Sequence, residues 1–121
     1  MPTILIVDDD PHQQLLFGEE LKDAGYDVLV AGSGQQAIEI IGRTPPDLVV
    51  LDIAMPGMDG IEALGRLLAE NNRLPVILHS AYATYKDNFM TWSADAYVVK
   101  SSDLSELKAE IERVLARRAN A

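Results

Sequence analysis

Residues 3–11 read TILIVDDDP, an unbroken apolar run that ends abruptly in three aspartates and a proline. The run is rich in β-branched side chains and does not alternate with polar residues, which is typical of a strand buried on both faces of a parallel sheet. An aspartate followed by proline is a common helix start, because the carboxylate caps the first turn and proline fits its first position. We therefore expect Asp10 to be a helix cap between a buried strand and a helix.

The same unit recurs along the chain. Four more apolar runs follow, at residues 28–30, 48–51, 76–78 and 96–99. Helix-capping patterns stand between or after them, and these are Ser33-x-x-Gln36, Asp59-x-x-Glu62 and Asp103-x-x-Glu106. Residues 84–91 give the weakest helical pattern. The alternation predicts an α/β fold of the (βα)5 doubly wound type, a single domain over residues 1–121 with helices on both faces of five parallel strands.

Composition and net charge exclude several classes of protein. The chain has 121 residues, 48% of them hydrophobic, no cysteine and a formal net charge of −9. Without cysteine there is no disulfide framework and no thiol nucleophile. The negative charge opposes binding to nucleic acid or to anionic lipid, and no apolar run approaches the ~18 residues that span a bilayer. We expect a soluble cytoplasmic protein that binds neither nucleic acid nor membrane.

Polar residues stand where the predicted strands end. In an open parallel sheet, ligands bind outside the carboxyl ends of the strands. The residues at those ends are Asp8, Asp9, Asp52, Ser80 and Lys100. Close carboxylates oppose each other's ionisation unless cations compensate them, and an all-oxygen set favours Mg²⁺ or Mn²⁺. An ionised aspartate beside such a metal can attack phosphorus and form an aspartyl phosphate.

Together, these motifs resemble the receiver domain of two-component response regulators over essentially the whole chain. The matching segments are residues 4–10, 47–52, 55–60, 80–81 and 97–100. The resemblance implies the flavodoxin-like strand order 2-1-3-4-5. It also implies that Asp52 is the phosphoacceptor, that Asp8 and Asp9 organise Mg²⁺, and that the backbone carbonyl of Ala54 is a further metal ligand.

The resemblance assigns the remaining site residues and the partners. Ser80 is the switch hydroxyl, Tyr97 the switch aromatic, and Lys100 the lysine that contacts the phosphoryl group. A histidine kinase or phosphotransfer protein is the implied donor. The implied target is a protein that binds the face formed by the fourth helix, the fifth strand and the fifth helix. The domain is then regulatory rather than an enzyme, although it promotes its own phosphorylation and dephosphorylation, and is a monomer or a weak phosphorylation-dependent dimer.

Three positions depart from the family pattern or vary within it. The family lysine is usually followed by proline, often through a cis bond, whereas Ser101 follows Lys100 here; a trans bond and a strained cis bond are the alternatives. The side chains that flank water's approach to phosphorus are Ala54 and Tyr82 by the resemblance. Neither is a carboxylate or an amide that would orient a water, which predicts a long-lived phosphoryl group.

Two other protein classes share part of this pattern. Asp8-x-Asp10 is similar to the start of the haloacid-dehalogenase phosphatase motif, but His12 stands where that motif has threonine or valine. A flavodoxin-like electron carrier needs a Ser/Thr-Gly loop after its first strand, where this chain has aspartates and Pro11. Among single residues, His79 is interpreted as a half-buried, hydrogen-bonded core histidine rather than a phosphohistidine, and core packing is the alternative role of Tyr97.

Overall fold

Strands and helices alternate along the chain in the computed structural model, which describes residues 1–52, 65, 69, 74–80, 94–101 and 103–119. The strands are β1 (Thr3–Val7), β2 (Asp27–Ala31), β3 (Leu48–Leu51), β4 (Val76–Ser80) and β5 (Ala96–Val99). The helices that lie wholly within these residues are α1 (Pro11–Asp23), α2 (Gly34–Arg43) and α3 (Ser105–Ala119). The predicted helix at 84–91 lies outside the described residues. In the one predicted after Asp59, only Gly65 and Ala69 are described, and both are helical.

All five strands form one parallel sheet in the order β2-β1-β3-β4-β5, which confirms the predicted fold and strand order. β2 and β4 extend beyond the apolar runs, because the register pairs Asp27 with Thr3 and Ser80 with Val99. β1 and β3 are neighbours, with Val7 opposite Leu51. The residues that follow these two strands therefore emerge side by side.

The sheet is buried on both faces, as its unbroken apolar strands predict. Leu5 and Val7 point into a core that α2 covers with Ala37 and Ile41. The intervening residues Ile4 and Ile6 point into the opposite core. That second core is covered by α1 and α3, whose contributing side chains are Phe17, Leu21, Leu107, Ile111 and Val114. Alternating burial of this kind fixes the strand register, and with it the position of the strand ends.

Capping side chains start the helices at the predicted places. Asp10 accepts a hydrogen bond from the His12 N–H at 2.9 Å, as expected of a helix cap. Ser33 accepts from the Gln36 N–H at 3.1 Å. The return half of that capping box differs from the prediction, because the Gln36 side chain accepts from Gly32 N–H at 2.6 Å and not from the cap residue.

The end of α1 needs a glycine. The Tyr26 N–H donates to the Leu21 carbonyl at 3.1 Å and the Gly25 N–H to the Lys22 carbonyl at 3.0 Å, which is the Schellman arrangement. Gly25 has φ +100°, in the left-handed region that disfavours other residues. The motif turns the chain directly from α1 into β2.

Two aspartates fasten strands at the edge of the sheet opposite the predicted site. The Asp47 side chain accepts from the Thr3 N–H at 2.7 Å, while its own N–H donates to the Thr3 carbonyl at 2.8 Å. Asp95 does the same for Val76, with distances of 2.9 Å and 2.8 Å. Asp95 also pairs with Arg117 of α3 at 3.1 Å. Neighbouring strand starts are thus joined by side-chain as well as backbone bonds.

Candidate functional site

The polar residues predicted at the strand ends converge at one edge of the sheet. The Asp8 N–H donates to the Ala31 carbonyl at 3.0 Å, and the Asp52 N–H to the Val7 carbonyl at 2.9 Å. The Lys100 N–H donates to the Ser80 carbonyl at 2.7 Å. These backbone bonds continue the ladders of the sheet by one residue, so each side chain leaves a rigid strand end.

Three carboxylates form the acidic cluster of the site, which consists of Asp8, Asp9 and Asp52. One oxygen from each lies within 4.8 Å of the other two. Asp8 is 2% exposed and Asp52 is 7% exposed, whereas Asp9 is exposed to solvent. The cluster is therefore buried at Asp8 and Asp52 and open to solvent at Asp9.

Lys100 supplies positive charge to the buried side of the cluster. Its Nζ lies 2.8 Å from Asp8 Oδ2 and 3.1 Å from Asp52 Oδ2, and it also donates to Gln13 Oε1. Burial by itself would lower the pKa of Lys100, but the hydrogen bond with Asp8 and the charges of Asp52 and Asp8 outweigh burial and raise that pKa. The ammonium is therefore charged at neutral pH.

The acidic cluster has the chemistry of a divalent-metal site. Three carboxylates and one ammonium leave the group two negative charges in excess when all are ionised. Hard carboxylate oxygens with room for water on the exposed side of Asp9 match the preferences of Mg²⁺ and Mn²⁺. These residues fit the metal predicted from the sequence.

Ser80 and Tyr97 lie on the same face of the sheet. Ser80 is fully buried at the end of β4. Tyr97 of β5 is half-buried, stands opposite Leu78, and packs against the core that α2 covers. Side chains two residues apart on a strand share a face, so Ser80 follows Leu78 on that side. Ala54 and Tyr82 lie outside the described residues.

The Lys100–Ser101 peptide bond is trans, since no cis peptide bond occurs among the described residues. The strained alternative considered from the sequence is therefore wrong. The backbone hydrogen bond from Lys100 to Ser80 holds the lysine at the site without a following proline.

His79 belongs to the core, and it is more deeply buried than predicted. It is 2% exposed, and its ring centroid lies 4.9 Å from that of Phe17 with the two planes tilted by 55°. Burial, and secondarily the charge of Lys100, lower the pKa of His79 to about 4. A neutral, enclosed imidazole of this kind packs the interior.

Gln13 is the site residue that sequence reasoning missed. Its side-chain oxygen accepts a hydrogen bond from Lys100, across 87 positions of the chain. A signal was present in the sequence, because Gln13, Phe17 and Leu21 are spaced by four and fall on one stripe of α1. Phe17 and Leu21 are buried, so the polar member of the stripe at its site end was the residue to question.

Comparison with known proteins identifies the family. A sequence-family model described as the response regulator receiver domain matches residues 4–112. The chain belongs to the response regulator receiver domain family. This receiver domain is 35% identical over 117 residues to the probable transcriptional regulatory protein TcrX of Mycobacterium tuberculosis, covering 95% of this chain and 50% of that protein. It is 34% identical to sporulation initiation phosphotransferase F of Bacillus subtilis, covering 97% of this chain and 96% of that protein.

A solved relative has the same fold. The response regulator TrrA of Thermotoga maritima, in complex with Mg²⁺-BeF, superposes with a TM-score of 0.92 at 38% identity, covering 94% of this chain and 99% of that one. TrrA in complex with histidine kinase ThkA gives a TM-score of 0.90 at 39% identity, covering 95% and 99%. This receiver domain spans about half, or less, of the length of several curated relatives that it matches. No helix in the described part of the chain has the length and apolar character needed to cross a bilayer.

Proposed function

We propose that this receiver domain accepts a phosphoryl group on Asp52 in a reaction that depends on Mg²⁺ or Mn²⁺, and signals to a protein partner by changing conformation. The observation that carries the proposal is the ammonium of Lys100, held 2.8 Å from Asp8 and 3.1 Å from Asp52 beside the acidic cluster. Carboxylates poised next to a metal and a fixed cation can accept phosphorus and neutralise the charge of transfer.

Asp52 is assigned as the nucleophile because it follows the central strand β3 and contacts Lys100 directly. One of its carboxylate oxygens attacks the phosphorus of the donor. The bond from phosphorus to the donor's leaving atom breaks, and its electron pair stays on that atom, which is an imidazole nitrogen in a phosphohistidine. The product is an acyl phosphate, and Lys100 lies where it can donate to the phosphoryl oxygens.

The metal would be held by Asp8, Asp9 and Asp52, together with the Ala54 carbonyl that the family resemblance adds. When bound, it supplies positive charge to the phosphoryl oxygens. Asp8 and Asp9 would fix the position of the metal beside Asp52. Lys100 balances the carboxylate charge on the buried side of the cluster.

Ser80 and Tyr97 are assigned to the conformational response. The hydroxyl of Ser80 at the end of β4 can hydrogen-bond a phosphoryl oxygen. A movement of Ser80 would then be transmitted to Tyr97, which lies on the same face of the sheet. The partner surface is the face formed by the helix predicted at residues 84–91, by β5 and by α3. The complex of TrrA with a histidine kinase supports such a kinase, or a phosphotransfer protein, as the phosphoryl donor.

Assignment of the chain as a phosphoryl-accepting domain also implies its regulatory role, its oligomeric state and its location. The domain is regulatory and promotes its own phosphorylation and dephosphorylation. Residues 1–121 act as one domain, a monomer or a weak phosphorylation-dependent dimer that functions in the cytoplasm through protein contacts. The net charge of −9 supports an output that does not involve nucleic-acid binding by this domain.

Intact-mass analysis after incubation with acetyl phosphate and Mg²⁺ tests the proposal. The wild type should gain one phosphoryl group per chain, and Asp52→Asn should gain none. Asp23→Asn is the matched control, since Asp23 is an exposed aspartate at the end of α1. Full labelling of Asp52→Asn, or no labelling of the wild type, would contradict the assignment.

A further inference from the structure

The ammonium of Lys100 has its hydrogen-bonding capacity filled. A lysine carries three N–H donors. Among the described residues they have three acceptors, which are Asp8 Oδ2 at 2.8 Å, Asp52 Oδ2 at 3.1 Å, and Gln13 Oε1. The first two are charged members of the acidic cluster. The third is a neutral amide that does not belong to the acidic cluster.

Gln13 reaches Lys100 because of where α1 begins. Asp10 caps the first turn, which places Gln13 on the turn nearest the strand ends. Four residues later, the ring of Phe17 lies with its centroid 6.0 Å from Lys100 Nζ. The lysine head thus lies over the buried stripe of α1, and the half-buried Gln13 provides an acceptor at the end of that stripe.

We infer that Gln13 is a positioning residue for phosphoryl transfer, whose side-chain oxygen holds one N–H of Lys100 so that the other two stay directed at Asp8 and Asp52. This inference rests on the proposed function. A lysine head sits on a flexible four-carbon stem and its donors rotate freely. With two donors fixed on Asp8 and Gln13, the third remains aimed at the carboxylate that receives the phosphoryl group.

The oriented N–H of Lys100 assists the reaction while the phosphoryl group is being transferred. When an Asp52 oxygen joins phosphorus and the donor's leaving group departs, negative charge moves from the carboxylate toward the phosphoryl oxygens. The N–H that faced Asp52 is then the nearest donor to those oxygens. A donor that is already oriented needs little reorganisation, which is the condition for electrostatic stabilisation of a transition state.

Two substitutions separate this role from other roles of the same side chain. Gln13→Leu removes the acceptor, whereas Gln13→Glu keeps an oxygen acceptor at the same reach, removes the N–H donors and adds a negative charge that faces the Lys100 ammonium. We expect Gln13→Leu to be phosphorylated by acetyl phosphate about three- to tenfold more slowly at saturating Mg²⁺, in line with loss of one hydrogen bond between the ammonium and an uncharged amide. Gln13→Glu should recover most of the wild-type rate. Mg²⁺ affinity, measured by calorimetry, should be unchanged in Gln13→Leu.

Controls and a double variant complete the test. Gln35→Leu makes the same substitution at an exposed glutamine in the first turn of α2 and should leave the rate unchanged. In a Lys100→Met background, Gln13→Leu should slow the residual reaction no further, because Gln13 acts through Lys100.

Four results would overturn the inference. Gln13→Leu as fast as, or faster than, the wild type would show that the contact does not assist transfer. Equal slowing by Gln13→Leu and Gln13→Glu would show that an oxygen acceptor at this position does not assist transfer. Multiplicative effects with Lys100→Met would show independent action. A wild type that gains no phosphoryl group would overturn the proposed function, and this inference with it.

Discussion

Burial of His79 should make the stability of the fold depend on pH. The pKa of His79 is lowered from 6.5 to about 4 in the folded chain, mainly by burial. The unfolded chain therefore binds one more proton than the folded chain between these values, and stability falls as the pH falls through that window. At pH 5 the loss attributable to His79 is about 2 kcal/mol, and toward pH 4 it approaches about 3 kcal/mol, at 1.36 kcal/mol per pKa unit.

Denaturant unfolding of the metal-free protein at pH 7.5 and pH 5 measures this effect, with His79→Leu as the test variant. The two proteins differ only at residue 79, so the difference between their pH dependences isolates the contribution of His79. Stability of the wild type relative to His79→Leu should fall by about 2 kcal/mol between the two pH values. His12→Gln is the control, because His12 is the other histidine of the chain and is exposed. Equal pH dependence of the wild type and His79→Leu would refute the reasoning.

Three further predictions concern the strand starts, a helix end and the phosphoryl group. Asp95→Ala removes acceptors for a strand N–H and for Arg117, and should cost ~1–3 kcal/mol in denaturant unfolding. Arg117→Ala, which removes only an exposed partner, should cost under ~1 kcal/mol. Gly25→Ala should destabilise by ~1 kcal/mol because of its positive φ, whereas Gly42→Ala in α2 should stabilise. Tyr82→Glu should shorten the lifetime of the phosphoryl group in a decay assay, by supplying a carboxylate that can orient water.

Each of these has a contrary result. Equal losses of unfolding free energy in Asp95→Ala and Arg117→Ala would show that the hydrogen bond from the Val76 N–H to Asp95 does not stabilise the fold. Changes of the same sign in the two glycine variants would exclude backbone conformation as the cause. Phosphoryl decay at the wild-type rate in Tyr82→Glu would show that this position does not control water.

Much of the fold follows from local chemistry. The strand at residues 3–7 and the cap at Asp10 could be predicted, because unbroken β-branched runs and a capping aspartate act within a few residues. The prediction is less complete where contacts between distant segments set the end of a strand or the partner of a side chain. β4 extends through His79 and Ser80 because β5 lies beside it, and the Gln36 side chain bonds Gly32 N–H instead of completing its capping box.

The residues at the strand ends of the candidate site could be predicted from the sequence, whereas Gln13 on α1 was missed. The strand ends place Asp8, Asp52 and Lys100 together once the sheet is known to be parallel. The stripe of α1 places Gln13 beside the buried Phe17 and Leu21, but its contact with Lys100 depends on how α1 packs over the sheet. The paired bonds of Asp95 at the start of β4 escaped prediction for the same reason.

The most direct test of the central claim is to locate the phosphoryl group in the chain. After incubation with acetyl phosphate and Mg²⁺, borohydride reduces an aspartyl phosphate to homoserine, and peptide sequencing by mass spectrometry then identifies the converted residue. The proposed function predicts conversion at Asp52 alone, with none at Asp8 or Asp9. Conversion at either of those two residues, or phosphate found on His79, would contradict it.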